Sequence, residues 1–160
     1  MNTSEIRWLV VFTLDEQRYA LPLTAVERVV RVVEITLLPK APEIVHGVIN
    51  VQGRIIPVVN IRRRFRLPER ELRLSDHCLI AHTTKRMVAL VVDEVSGVLE
   101  PVDQAMTAAE QILPDLVYVA GVVKLADGMV LIHDLDSFLS LEEEQTLDEV
   151  VKHQFLSPRA

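Results

Sequence analysis

Cysteine and aromatic residues are scarce in this chain, and each scarcity excludes a class of protein. Cys78 is the single cysteine among 160 residues, so no internal disulfide can form and a disulfide-stapled scaffold is excluded. Aromatic residues make up 4% of the chain, which leaves few rings on which nucleic-acid bases could stack. No apolar run approaches the ~18 residues that span a bilayer, and no charged segment followed by an apolar one opens the chain. We therefore expect a soluble cytoplasmic protein.

Basic residues are outnumbered, since 17 Lys and Arg face 23 Asp and Glu and the net charge is −6. Phosphate backbones are bound by concentrated positive charge, so general affinity for nucleic acid is disfavoured. What the chain does contain is valine, at 25 positions, within a composition that is 49% hydrophobic and 25% charged. Such a chain can bury a core, and its β-branched residues favour strands. The composition predicts a mainly β protein.

An internal repeat organises the chain. The stretch VHGVINVQGRIIPVVNI (45–61) is similar to VAGVVKLADGMVLIHDL (119–135), and each places a glycine in a first strand and another at a turn. Upstream, YALPLTAVERVV (19–30) is similar to VALVVDEVSGVL (88–99). Two units of this size are marginal alone, so we expect them to pack together. The prediction is one domain, 1–160, built of two interleaved units at roughly 8–75 and 76–140, followed by a C-terminal helix at about 141–153.

Strands and helices are predicted from the spacing of hydrophobic residues and from the positions of prolines and capping residues. Short helices are predicted at 25–30 after Thr24, from Asn60 through Phe65, and around 107–113. Ser140 and Glu143 form a capping box for the terminal helix. The charged stretch 66–76 is predicted to be a loop, and the predicted strands are 8–14, 18–22, 46–51, 55–60, 77–83, 86–99, 116–125 and 129–134.

Residues able to carry catalysis are present but are not grouped. The five histidines show no metal-ligand spacing, and His77 and Cys78 point to opposite faces of one strand. No phosphate loop, dinucleotide motif or nucleophile elbow occurs. Four aspartates fall at strand ends or turns, where Asp commonly caps the backbone: Asp93, Asp127, Asp134 and Asp136. These observations favour a non-catalytic module without cofactor or metal, although an enzyme or small-ligand protein using the cleft between the two units, through Asp93 or His133, stays open as an alternative.

The run Arg62-Arg63-Arg64, followed by Arg66, allows three interpretations. The arginines can lie on a solvated or packing face, contact another protein, or bind nucleic acid. Nearby Glu69 and the lack of interleaved aromatic residues argue against nucleic acid. Arginine is favoured at protein interfaces, so packing and partner contact both remain open.

Five segments, taken in order, resemble the CheW-like domain family of bacterial chemotaxis coupling proteins, a domain that also occurs in the chemotaxis histidine kinase CheA. The resemblance covers roughly residues 8–140, and each pattern is loose but their order and spacing are shared. The segments are FTLDEQRYALPLTAVERVV (12–30), ITLLPKAP (35–42), HGVINVQGRIIPVVNIR (46–62), RMVALVVDEVSGVL (86–99) and YVAGVVKLADGMVLIHDLDSFL (118–139).

The resemblance implies two tandem five-stranded SH3-like β-barrels and a non-catalytic adaptor. Its implied partners are the regulatory domain of a CheA-type histidine kinase and the cytoplasmic tip of a methyl-accepting chemoreceptor, with no nucleic acid and no direct membrane insertion. The protein would be recruited to membrane-associated receptor arrays. A coupling protein of a different kinase pathway, such as one for surface motility, would show the same resemblance.

The resemblance also implies site residues, and one position departs from the family. The family usually has Asn-Leu-Arg-Gly in the first hairpin turn, where this chain has Asn50-Val51-Gln52-Gly53 and the next cation is Arg54. Contacts to the receptor are expected at Val26, Gly47, Asn50, Gln52, Gly53, Arg54, Met87 and Val88. Contacts to the kinase are expected at Ile55, Arg62, Gly121 and Gly128.

Overall fold

The fold is mainly β, as the composition predicts. The computed structural model describes residues 8–32, 34–100, 106–108 and 118–153. Its strands are β1 Leu9–Leu14, β2 Gln17–Pro22, β3 Val26–Arg31, β4 Val45–Val51, β5 Arg54–Val59, β6 His77–His82, β7 Met87–Val92, β8 Glu94–Leu99, β9 Met106–Ala108, β10 Val119–Leu125 and β11 Gly128–His133. The helices are α1 Ile61–Arg64 and α2 Leu141–Val151, with 3-10 turns at Leu23–Ala25 and Leu135–Ser137.

The strands form two sheets that interleave along the chain. The terminal sheet has the order β8-β1-β2-β11-β10-β9, and the central sheet has the order β3-β6-β7-β5-β4. One parallel pair occurs in each, β2 with β11 and β5 with β7. The predicted boundary between residues 75 and 76 does not separate these sheets, because β1 also pairs with β8 and β2 with β11, which both follow residue 76.

The internal repeat appears as two equivalent hairpins, β4–β5 and β10–β11, one in each sheet. Both hairpins have a register shift next to the repeated glycine, Gly47 in one and Gly121 in the other. The residues that follow them also correspond, since the amide of Asn60 donates to the carbonyl of Ile44 at 2.7 Å and that of Asp134 to the carbonyl of Tyr118 at 2.9 Å. The repeat therefore encodes a shared backbone geometry.

Inner strands such as β1 and β6 are buried on both faces, which explains their near-continuous apolar runs, whereas the edge strands β3 and β8 are partly exposed. In β1, Phe12 joins a core shared by both sheets, while its neighbour Val11 joins a second core inside the terminal sheet. In β6, Leu79 joins the shared core and Cys78 joins a third core inside the central sheet. Successive residues thus enter different cores because side chains alternate along a strand. Cys78 is buried.

Two predicted helices differ from the structure. Residues 25–30 are the end of a 3-10 turn and most of β3, since Val26, Val29 and Val30 are β-branched and the segment pairs with β6. The helix predicted at 107–113 overlaps β9, which pairs with β10, and its remaining residues lie outside the described part of the chain. The predicted strand 86–99 is divided at Asp93, where the chain passes from the central to the terminal sheet. Helices α1 and α2 and the Ser140 capping box are confirmed.

Candidate partner-binding surface

The turn of the β4–β5 hairpin is an exposed, well-defined loop of two residues. Gln52 and Gly53 have φ values of 52° and 84°, the signature of the mirror-image turn that matches the twist of a hairpin. The amide of Gly53 donates to Oδ1 of Asn50 at 2.9 Å, which fixes the start of the turn. The structure therefore presents the side chain of Gln52 to solvent, and Asn50 supports the turn.

Gly47 has a packing role within the same hairpin. A Cβ atom at this position would lie 2.2 Å from the carbonyl oxygen of Thr36. That close approach exists because Thr36 and Val48 exchange two backbone hydrogen bonds of 2.9 and 2.8 Å. The bridge brings the segment after β3 onto β4, the opposite edge of the central sheet. Gly47 is buried, so any effect of it on a partner would act through the hairpin's shape.

Arg54 of β5 forms an ion pair with Glu27 of β3, the two strands not being neighbours in the central sheet. Its Nη2 donates to both carboxylate oxygens of Glu27 at 3.0 Å, joining β5 to β3. Both side chains are substantially exposed, so this pair adds little stability. Its neighbour Val26 is half-buried against the shared core, Met87 is half-buried, and Val88 is buried. Of the receptor-binding residues implied by resemblance, Asn50, Gln52, Gly53 and Arg54 therefore form the exposed part.

An apolar groove lies beside this turn. It brings together Arg54 and Met87, which the resemblance assigns to the receptor, and Ile55, which it assigns to the kinase. Val151, from the end of α2, also lines it. We name it the helix–hairpin groove, and its lining residues are Arg54, Ile55, Ile56, Pro57, Arg86, Met87 and Val151. The contribution of α2 has no signal in the sequence, because a contact between positions so far apart depends on the fold.

Arg62, expected among the kinase contacts, is buried in an ion-pair cluster. Only 8% of the residue is exposed, Nη1 donates to Asp15 at 2.9 Å, and Nη2 donates to Asp93 at 2.7 Å. Arg70 also donates to Asp93, at 2.5 Å, and to Asp76 at 2.6 Å. Burial opposes ionisation of Asp93, but hydrogen bonds from the Asp15 amide and the two arginines outweigh it and hold its pKa below the ordinary value. The guanidinium of Arg62 therefore forms ion pairs inside the protein.

The other arginines of the run have separate partners. Arg64 donates to both carboxylate oxygens of Glu143 at 2.6 and 2.7 Å, so α1 is tied to the start of α2. Arg63 is exposed and lies 3.6 Å from the carboxylate of Glu43. Of the three interpretations of this run, the packing interpretation is confirmed for Arg62 and Arg64.

The two glycines expected among the kinase contacts differ in accessibility. Gly121 is buried at the bulge of β10, whereas Gly128 is exposed at the start of β11. Next to Gly128, Asp127 pairs with Arg18 at 3.1 Å. Ile55 is 37% exposed but belongs to the other hairpin and the other sheet. The accessible members of the kinase set are therefore Ile55 and Gly128.

His133, the residue behind the small-ligand alternative, is buried in an aromatic cluster. Its Nδ1 lies 3.0 Å from the carbonyl oxygen of Tyr118 and donates to it, and its ring stacks on Phe65 with centroids 4.1 Å apart. Burial lowers the pKa of His133 to about 4, so the ring is neutral at pH 7. Tyr19 and Phe138 complete the cluster. Asp93, the other residue of that alternative, is held in the ion-pair cluster.

The described residues contain neither a cluster of metal-ligating side chains nor a helix that could span a membrane. Among them, no three His, Cys, Asp or Glu side chains are grouped to hold a metal ion. No helix in the described ranges has the length and apolar character to cross a membrane.

Comparison with known proteins points to one family. Residues 9–143 match the CheW-like domain. A chemotaxis protein CheW from Thermotoga maritima is 32% identical over 148 residues, covering 88% of this chain and 90% of the relative. One from Treponema pallidum is 27% identical over 145 residues, covering 87% and 85%. The crystal structure of the scaffolding protein TtCheW from Thermoanaerobacter tengcongensis superimposes with a TM-score of 0.78 at 30% identity, covering 86% of this chain and 94% of that one.

Proposed function

Because the chain belongs to the CheW-like domain family, we propose that it is a non-catalytic adaptor that couples chemoreceptors to a CheA-type histidine kinase. The observation that carries this proposal is the family match over residues 9–143, which spans strands of both sheets. The relatives are named as chemotaxis proteins, and a similar solved structure is named as a scaffolding protein. Adaptor function requires surfaces rather than a reaction centre, and no cofactor is part of the proposal.

We assign receptor binding to the exposed turn at Asn50–Arg54. A helical receptor tip binds through an apolar stripe and a few polar contacts, and this turn offers polar groups beside the half-buried Met87. The turn is fixed by the Asn50 bond, so little conformational entropy is lost on binding. Binding would take place in the cytoplasm, at membrane-associated receptor arrays.

Kinase binding is assigned to a second surface. The regulatory domain of the kinase is itself CheW-like, so the contact would join two β units by their strand ends and hairpins. Of the residues expected there, Ile55 and Gly128 are exposed, whereas Gly121 and Arg62 are buried.

The glutamine at position 52 supports a variant of the proposed function. The exposed turn lacks the arginine that the family usually carries there, so a receptor that depends on that cation would bind weakly. This observation supports service to a divergent receptor array or to another kinase pathway, such as one for surface motility.

Binding and kinase assays test the proposal directly. The purified chain is titrated by calorimetry with the regulatory domain of the CheA-type kinase and with the cytoplasmic fragment of a chemoreceptor, both from the same genome. We expect binding to each, and a receptor-dependent change in kinase autophosphorylation only when this chain is present. A folded chain that binds neither partner would contradict the proposal.

A further inference from the structure

A cleft opens between the two sheets, beside the turn that joins β6 to β7. Its central-sheet wall is this turn, with Thr83 and Thr84, and its terminal-sheet wall is the segment 133–136 at the end of β11. The amide of Thr84 donates to Oδ1 of Asp136 at 2.8 Å, so the two walls are tied together. We name it the inter-sheet cleft. Its volume of about 400 Å³ lies within the roughly 300–1,000 Å³ of small-molecule sites.

His133 brings an unpartnered acceptor to the wall of this cleft. The residue lines the cleft but is only 3% exposed. Phe65 covers one face of its ring, and Nδ1 donates to the carbonyl of Tyr118. Because Nδ1 carries the proton, Nε2 has a free lone pair, and it has no hydrogen-bond partner among the described residues. A buried acceptor without a partner is unfavourable, so an occupant that donates to Nε2 would be stabilised.

The other charged groups of the lining are acidic. Asp134 and Asp136 contribute carboxylates, and the described residues of the lining include no lysine or arginine. The side chain of Asp134 makes no capping bond to the 3-10 turn that follows it, and Oδ1 of Asp136 accepts from Thr84, which leaves Oδ2 available. An anionic ligand would meet two like charges here, whereas an ammonium group would gain charge-assisted hydrogen bonds.

Apolar side chains supply much of the remaining lining: Pro22, Ala25, Ala120 and Leu135. They offer contact to the hydrocarbon body of a ligand, and such a mixture of apolar wall and few polar groups is typical of small-molecule sites. A metal ion does not fit as the bound cation, because no three ligating side chains in the described ranges are grouped to hold one. The cleft therefore suits an organic cation.

We propose that the inter-sheet cleft binds a small organic amine that carries a second hydrogen-bond donor. The ammonium group pairs with the carboxylates of Asp134 and Asp136. The hydrocarbon body lies on Pro22 and Leu135, and the second donor bonds Nε2 of His133. This is a binding site without catalysis. It does not rest on the adaptor function, since none of its residues belongs to the expected receptor or kinase contacts.

Three probes of similar size test the charge and the second donor. Tyramine has an amine and a phenol hydroxyl, phenethylamine lacks the hydroxyl, and para-hydroxyphenylpropionate has a carboxylate in place of the amine. Each is titrated into the full chain, and binding is followed by amide chemical shifts in heteronuclear NMR spectra. We expect saturable shifts at Thr84 and Asp136 with tyramine, an affinity about fivefold lower for phenethylamine because one hydrogen bond is lost, and no saturable shift with the carboxylate.

Substitutions in the cleft assign each contact. Asp134→Asn should weaken the binding of tyramine and of phenethylamine alike, by about tenfold, because both carry the ammonium group. Glu142→Gln, which removes an exposed carboxylate at the start of α2, is the matched control and should bind both amines like the unmodified chain. His133→Phe keeps an aromatic ring but removes Nε2. It should lower the affinity for tyramine to that for phenethylamine and leave the latter unchanged.

Each result decides the proposal. Retained affinity in Asp134→Asn, or equal binding of the carboxylate probe, would show that the acidic lining does not select the ligand and would overturn the assignment. Equal affinities of tyramine and phenethylamine for the unmodified chain would also overturn it, and this comparison holds even where His133→Phe does not fold. So would a titration with millimolar tyramine that gives no saturable shift in the cleft.

Discussion

Asp93 accepts a hydrogen bond from Arg62 at 2.7 Å at the point where the chain crosses from one sheet to the other. Asp93 lies between β7 of the central sheet and β8 of the terminal sheet, and Arg62 lies in α1 after β5. The same arginine also binds Asp15 in the turn between β1 and β2. One buried guanidinium thus ties together segments of both sheets.

Removal of that guanidinium should be strongly destabilising. Arg62→Ala leaves Asp93 and Asp15 without this cation at the junction, and we expect the free energy of unfolding to fall by about 3 kcal/mol. Chemical denaturation measures the change. Arg63→Ala in the same helix is the control, because its side chain is exposed and its ion pairs are long, so it should have little effect. Equal effects of the two substitutions would contradict a structural role specific to Arg62.

Stability should fall in mild acid because of His133. Burial lowers its pKa in the folded protein to about 4, whereas an unfolded histidine titrates near 6.5. The unfolded chain therefore takes up the proton first, and stability is lost as the pH falls from about 6.5 to about 4, by up to about 3 kcal/mol. The measurement is the free energy of unfolding against pH for the unmodified chain and for His133→Gln.

His133→Gln is the matched control because its amide can still donate to the carbonyl of Tyr118. It should be less stable at pH 8 and should lose much of the dependence between pH 6.5 and pH 4. Carboxylates with lowered pKa values, Asp93 and Glu143 among them, lose their contribution at lower pH, as the pH falls from the unfolded pKa through the folded one. An unchanged slope above pH 4 in the variant would show that His133 is not the group responsible.

Gly47 and Gly53 should respond differently to substitution although both belong to the expected receptor set. Gly47→Ala places a methyl group against the Thr36 carbonyl, so we expect a loss of about 2 kcal/mol or more in stability. Gly53→Asn should cost far less, since Asn tolerates positive φ and nothing lies within 4 Å of a Cβ there. Thermal unfolding of both variants measures the difference. Receptor binding by a stable Gly53→Asn variant would then report the turn itself, without a folding defect.

The repeat made the two hairpins predictable, but it could not predict which strands from distant parts of the chain pair to form each sheet. Gly47 and Gly121 mark the same bulge in both copies, and such local patterns are visible in a sequence. The parallel pairing of β2 with β11 joins residues more than a hundred positions apart and has no local signature. For the same reason the aromatic cluster around His133 was missed. The helix predicted at 25–30 failed because tertiary pairing and β-branched valines outweighed a cap at Thr24.

The candidate surface was predictable only in part. Its turn could be predicted from Asn50 and Gly53, since those residue types select the turn conformation. The resemblance supplied Arg62 as a contact, but it cannot show that a guanidinium is buried. The groove was not predictable, because Val151 and Met87 line it together only in the folded chain, where Arg86 binds Glu144 and Asp148 of α2.

The identity of residue 52 should set receptor affinity. Gln52→Arg restores the cation that the family usually carries in this turn, on an exposed position whose backbone suits either residue equally. We expect unchanged thermal stability and a roughly tenfold gain in affinity for a chemoreceptor fragment, since a charge-assisted hydrogen bond contributes about 1.5 kcal/mol. Gln52→Lys, a matched cation without the planar fork, should give a smaller gain. Calorimetric titrations of the three chains at two salt concentrations make the comparison, and equal affinities would show that partner choice lies elsewhere on the surface.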